Sequence, residues 1–398
     1  VKATQKLLHK LTRVTSSGKY IPEIDGLRFL AITPVVLFHV RNFLVAKSGD
    51  AYTLSPETDW VAQLTAYGHY GVELFFVISG FVLALPFAAH YLQAAPPVKL
   101  KSYYFRRLTR LEPPYILSLL ICFCLFILIN KSSVGALLPH LATGLFYSHS
   151  LVYAKPNILN LVTWSLEVEI QFYLLVPLLA KLFTIRGKTR RRGLLLLLCL
   201  GLVISQALFI TAASRLSLSI LNFLQYFLIG FLLADVYLCD WNEAPSHHLR
   251  WDIASLVGWP LLIGLFAWLR VTSLLLPFML FGLYYSVFRS VHVRRLLTRR
   301  LLTVIGGMCY TIYLIHFQLI SFVGWLFPPV KVSDHFAINY LLELLMVLPV
   351  LAVFTVVFFV CIERPCMKKD WPARLRLKLR GLLMPQTKLE KSAMTSIE

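Results

Sequence analysis

The stretch IDGLRFLAITPVVLFHV, residues 24–40, decides how the chain is read. It has the apolar character of a membrane helix, yet it carries Arg28 and His39, two groups that are costly to hold in hydrocarbon. They stand eleven residues apart. At 100° and 1.5 Å per residue, that step returns the side chain to within about 20° of the same face, roughly 16 Å further along the helix. Both are therefore expected to line one groove, with Pro34 between them as the residue able to bend it.

The rest of the 398 residues supports a membrane setting. The chain is 58% hydrophobic and 14% aromatic, with a mean hydropathy of +0.71, well above the needs of a soluble core. Its formal net charge is +20. In a soluble protein that would point to nucleic acid, but the basic residues fall in short clusters between apolar runs, where they act as topology signals and contacts to anionic membrane lipid. No nucleic-acid partner is expected. The seven cysteines show neither a disulfide framework nor zinc-like spacing, so no metal site is implied. The first apolar run lacks a small-residue cleavage signature and is read as a retained span.

A span needs about 20 apolar residues. Ten such runs can be drawn, at 27–45, 70–89, 114–130, 164–183, 193–213, 218–238, 252–269, 272–289, 302–325 and 338–362, with a soft boundary around Arg270. The stretch 135–152, interrupted by Pro139, His140 and His149, reads as re-entrant or interfacial. With the N-terminus inside, 31 of the 39 Lys and Arg fall on the cytoplasmic side and 7 opposite, Arg28 lying in the membrane. The 239–251 loop, with Asp240 and Glu243 against one Arg, fits this division poorly. The expected fold is all-α: a polytopic membrane protein of about ten transmembrane helices around a central polar chamber, N-in/C-in. Residues 1–19 form a basic cytoplasmic N-terminus, 20–366 the membrane domain and 367–398 a basic cytoplasmic tail.

Counting depths along the helices brings further polar groups toward His39. On the second span, GVELFFVISGFVL (71–83) puts Ser79 about 13 Å from the outer end, and TWSLEVEIQFY (163–173) puts Glu169 about 8 Å in. CYTIYLIHF (309–317) rises from the cytoplasm and puts His316 roughly 10 Å from the outer surface. Four spans thus offer polar side chains to one layer, the expected mark of a shared chamber. On the basic side, SYYFRRLTRLEPPY (102–115) places Arg107 and Arg110 three residues apart, able to grip one anionic group. Glu167 is expected at an interface away from the chamber. His69, His140, His149, His247, His248 and His335 are expected to be solvated.

Read singly, each of these residues has a plainer explanation. Arg28 could snorkel, Arg107 and Arg110 could be positive-inside charges, and Ser79-Gly80 could be a small-residue packing contact. Together they resemble the acyltransferase-3 family of membrane acyltransferases. DGLRFLAITPVVLFHV is similar to its arginine-ten-residues-histidine signature, FFVISGF to its second-span motif, RRLTRLEPPY to its Arg-x-x-Arg segment and TWSLEVEIQFY to its Trp-Ser-Leu-x-x-Glu motif. IGGMCYTIYLIHF and IERP (362–365) resemble its late-span signatures. Cys309 stands where a serine is usual and Glu73 where aspartate is common.

The resemblance implies transfer of an acyl group, most often acetyl, from cytoplasmic acyl-CoA to a hydroxyl of a carbohydrate or lipid-linked glycan, in the cell inner membrane and without an SGNH-type domain. Carried over by motif, His39 and Glu169 are the catalytic candidates. Arg28, Arg107 and Arg110 bind the donor, while Ser79, Trp164, Ser165 and His316 contact substrate. The chemistry agrees, because a hydroxyl acceptor needs a base, which neutral imidazole supplies, and the phosphates of coenzyme A need cations. Two other classes stay open on sequence grounds: a proton-coupled transporter, since intramembrane His and Glu also form proton relays, and a non-catalytic scaffold. An acceptor such as a macrolide is a further alternative.

Overall fold

The structure is a computed structural model, and it describes residues 11–14, 20–48, 59–211, 214–268, 272–328, 331–368, 370–373 and 375. Most of the N-terminal segment 1–19, the boundary at Arg270 and nearly all of the tail beyond Ala373 lie outside the described residues. Among the described residues there is helix and no strand. The main helices are α1 (Pro22–Ser48), α2 (Gly71–Gln93), α3 (Leu100–Leu128), α4 (Val134–Leu145), α5 (Trp164–Leu179), α6 (Lys188–Phe209), α7 (Ile220–Cys239), α8 (Leu249–Trp268), α9 (Thr272–Arg289), α10 (Cys309–Leu326) and α11 (Phe336–Phe358).

Each of the ten apolar runs contains helix, and among the described residues seven helical segments are long and apolar enough to cross a membrane: those holding α1, α2, α3, α6, α7, α10 and α11. The chain is an all-α polytopic membrane protein. The expected runs not among these seven are 164–183, 252–269 and 272–289, the second of which holds α8 and ends beside residues outside the described ones. Helix α5 has only 16 residues, about 24 Å of rise, and passes into a 3₁₀ turn at Ala180–Thr184. The apolar part of α9 is likewise short, at Leu274–Arg289. Helix α4, in the 135–152 stretch read as re-entrant and not counted among the ten, has 12 residues, about 18 Å, too short to cross a bilayer.

Packing is closest between α2 and α7. A Cβ on Gly80 would run into the Phe227 carbonyl, and one on Gly230 into the backbone of Val77 and Phe81. Mutual glycines let the two backbones touch, the means by which helices associate where lipid removes the hydrophobic drive. Aromatic rings fill the space beside the contact, Phe76 and Phe172 both stacking on Phe227 at 4.7 and 3.9 Å.

Prolines leave carbonyls without helical donors, and side chains from other segments supply them. Pro177 cannot donate to the Tyr173 carbonyl, and Tyr103 Oη of α3 does so at 3.4 Å. Pro113 leaves the Thr109 carbonyl, and Trp371 Nε1 donates to it at 3.0 Å. These bonds tie α3 to α5 and to the segment after α11.

The acidic loop that fitted the charge division poorly is balanced across space. Asp240 pairs with Lys188 at 3.3 Å and Arg192 at 2.8 Å. The hydrogen bond from Arg192 holds its carboxyl below the usual carboxylate range. Asp235, fully buried, accepts from both Arg191 and Arg192.

Candidate active site

A cavity opens among α1, α2, α3, α5 and α10. It is lined by the guanidiniums of Arg13, Arg28, Arg107 and Arg110, by Glu363, and by Ser79, Ser165, Glu169, Tyr173, Tyr310 and Tyr313. Six residues singled out in the sequence therefore share one space: Arg28, Arg107, Arg110, Ser79, Ser165 and Glu169.

Each is held by identifiable contacts. Arg28 and Arg13 both reach Asp25 Oδ1, at 2.6 and 3.2 Å, so one carboxylate orients two cations. Arg107 lies over the rings of Tyr173 and Tyr103, 5.6 and 5.8 Å from their centroids. Glu169 Oε1 accepts from Ser79 Oγ at 2.8 Å and from Tyr173 Oη at 2.6 Å. Tyr173 follows Glu169 by four residues, one turn on, so both occupy the same face of α5. The Ser79-Gly80 pair divides its work: Gly80 makes the helix contact and Ser79 faces the cavity.

His39 and His316 meet each other instead. His316 Nε2 lies 3.2 Å from His39 Nδ1, with ring centroids 4.9 Å apart. Neither lines this cavity, and the expected common groove of Arg28 and His39 is not observed there. The connection runs through α10. Tyr313 lines the cavity, shares a 2.6 Å hydrogen bond with Ser165, donates to the Val162 carbonyl at 2.9 Å and lies 5.8 Å, ring to ring, from His316. His39 itself is partly exposed, beside Phe38 and Phe317. Trp164 does not line the cavity and packs on Phe223 at 5.3 Å.

Two expectations change. His149 is buried, its Nδ1–H donating to the Lys155 carbonyl at 3.1 Å, with His140 Nδ1 2.8 Å from its Nε2. Glu167 is fully buried and accepts from the Ser150 amide at 2.8 Å, tying α5 to the short helix His149–Tyr153. The apolar 135–152 segment thus carries its own polar interior.

Sequence reasoning missed Arg13, Asp25, Tyr173 and Glu363, while Tyr310, conceivable from sequence as a relay hydroxyl alongside Ser79, lines the cavity. Glu363 sits in a π-helical turn, Phe359–Glu363, that follows α11. One of its oxygens accepts from the Thr311 amide at 3.1 Å and the Thr311 hydroxyl at 2.5 Å, while Oε1 is buried without a partner. The Nε groups of Arg13 and Arg110 are buried and unpartnered as well. A cationic pocket with spare buried donors fits the phosphates of a nucleotide-bearing donor. Among the described residues no group of three His, Cys, Asp or Glu could hold a metal ion.

A model of the acyltransferase domain family matches residues 21–364, and the chain belongs to that family. It is an all-α, polytopic membrane member of that acyltransferase family. It is similar to O-acetyltransferase OatA of Staphylococcus aureus strain NCTC 8325, 27% identical over 384 residues, which cover 90% of this chain and 59% of that protein. A second S. aureus protein, from strain COL and named a candidate O-acetyltransferase, is 26% identical over 332 residues, covering 77% of this chain and 51% of its own length. The chain thus matches between half and three fifths of the length of these relatives. No solved structure matches it.

Proposed function

We propose that the protein moves an acetyl group from cytoplasmic acetyl-CoA to a hydroxyl of a cell-surface glycan or its lipid-linked precursor, in the inner membrane. The observation that carries this reading is one cavity lined by four arginines and by the hydrogen-bonded Ser79–Glu169–Tyr173 cluster, with Arg107 lying over the Tyr173 ring. The excess of Lys and Arg in the loops assigned to the cytoplasm supports donor entry from that side. The similarity to O-acetyltransferases supports acetyl as the group transferred.

In this reading Arg13, Arg28, Arg107 and Arg110 bind the diphosphate and 3′-phosphate of the donor, leaving its thin thioester arm to extend along the cavity. Ser79 and Glu169 border that arm. His39, which lies outside this cavity beyond Tyr313 and His316, is the general base, and the thioester end of the arm must pass Tyr313 to reach it: Nε2 takes the acceptor hydroxyl proton as the oxygen attacks the thioester carbon. The new O–C bond forms, the C–S bond breaks, and the departing thiolate is protonated to free coenzyme A. General-base assistance of this kind contributes about 10²–10⁴-fold.

The test is the purified protein in liposomes with acetyl-labelled acetyl-CoA and an isolated glycan. Label should enter the glycan in step with release of free coenzyme A. Movement of a solute or protons across the vesicle without thioester cleavage would overturn the reading and favour a transporter.

A further inference from the structure

The His39–His316 contact has a direction, and backbone carbonyls set it. A carbonyl oxygen only accepts hydrogen bonds, so any imidazole nitrogen bonded to one carries a proton. His316 Nδ1 lies 3.0 Å from the Ile312 carbonyl and 2.9 Å from that of Tyr313, one turn back on α10. Its proton is therefore on Nδ1, and in the neutral ring Nε2 is a lone pair. That lone pair faces His39 Nδ1 at 3.2 Å. His39 Nδ1 also lies 2.8 Å from the Val35 carbonyl. It too is protonated, its hydrogen shared between Val35 O and His316 Nε2. What remains on His39 is an unprotonated Nε2, the atom a general base needs.

We infer that His316 is a positioning residue, whose lone pair shares the His39 Nδ1–H with the Val35 carbonyl and fixes the ring so that Nε2 is free to take the acceptor proton. This rests on the reading of His39 as the base. When His39 gains a proton, the positive charge spreads toward Nδ1–H, and the His316 lone pair is already in line to stabilise it. A carboxylate does this in the Ser-His-Asp arrangement. Here the partner is fully buried in a membrane helix, and a neutral imidazole avoids the expense of an uncompensated buried charge. The His316 ring has no freedom to turn away, since two carbonyls hold one edge and Tyr313 packs against its side.

The experiment compares H316Q, H316F and H39A in liposomes, with steady-state kinetics and nitrogen-15 histidine NMR of the full chain, the H39A difference spectrum assigning the His39 signals. H316F should lower kcat about 10–100-fold, the usual loss when a residue orienting a functional histidine is removed, with donor KM unchanged. H316Q, whose amide oxygen can accept from His39 Nδ1–H, should recover much of that rate. In the wild type the His39 signals should report protonation at Nδ1 and a bare Nε2, and H316F, in which the Val35 carbonyl alone still accepts from Nδ1–H, should shift the Nδ1 signal while keeping that tautomer. A wild-type spectrum with His39 protonated at Nε2, or an H316F enzyme with wild-type kcat, overturns the inference. Full activity in H39A would instead remove His39 as the base, a separate failure, because the spectrum would still report the pairing of the two rings.

Discussion

Around the arginines of the cavity, charge is balanced by charge: Asp25 takes Arg13 and Arg28, while Arg107 rests on two tyrosine rings. At the His39–His316 pair the rings are neutral and are held by main-chain carbonyls of Val35, Ile312 and Tyr313. In the proposed function the difference follows from the task of each region. Phosphate recognition needs permanent cations, which tolerate burial only with counter-ions or aromatic faces. Proton abstraction needs a group that is neutral before it acts, and deep in a span neutrality is also the less costly state.

The comparison can be broken at several points, in decreasing order of effect. His39→Ala should cost the full general-base contribution, about 10²–10⁴-fold in kcat, read as coenzyme A release at saturating donor. A paired Arg107→Ala and Arg110→Ala exchange should raise donor KM by about 10-fold or more, the scale expected for lost hydrogen bonds to a charged group. If that variant loses kcat and keeps its KM, the arginines serve something other than donor binding. Gly80→Val, which touches neither region directly, should destabilise the detergent-solubilised protein by about 1–3 kcal/mol through overlap with the Phe227 carbonyl. Thermal unfolding of the variant beside wild type measures this. Tyr313→Phe keeps the ring between the two regions and removes its hydroxyl bonds to Ser165 and Val162. A loss near 1 kcal/mol in stability and a small drop in rate are expected. A large drop in rate would show that the hydroxyl links the regions chemically.

Much of this architecture could be read from the chain. Hydropathy located every long helix, because burial in lipid demands long apolar runs. Arg28, Arg107, Arg110, Ser79, Ser165 and Glu169 stood out as polar groups in or beside such runs, and they share a cavity. The pairing within the polar layer was not legible. Depth counting brings His39, Ser79, Glu169 and His316 to similar levels, but depth does not specify rotation about each helix axis, and it is rotation that sorts them into Ser79–Glu169 and His39–His316.

Arg13 looked like one more positive-inside charge, since only folding brings the N-terminal segment back to Asp25. Glu363 depends on a π turn, which shifts the face a residue presents and leaves no periodic trace. Asp25 and Tyr173 did leave a signal: the first lies three residues before Arg28 and the second four after Glu169, spacings that place side chains together on a helix.

The most direct test of the whole account is the split between kcat and donor KM in two variants of the purified enzyme, His39→Ala and Arg110→Ala, assayed with acetyl-CoA and an isolated glycan. Donor recognition in the arginine cavity and proton abstraction at His39 require the histidine variant to lose kcat at unchanged donor KM, and the arginine variant to lose donor affinity while retaining most of its kcat. The reverse pattern, or a histidine variant that turns over at the wild-type rate, would contradict it.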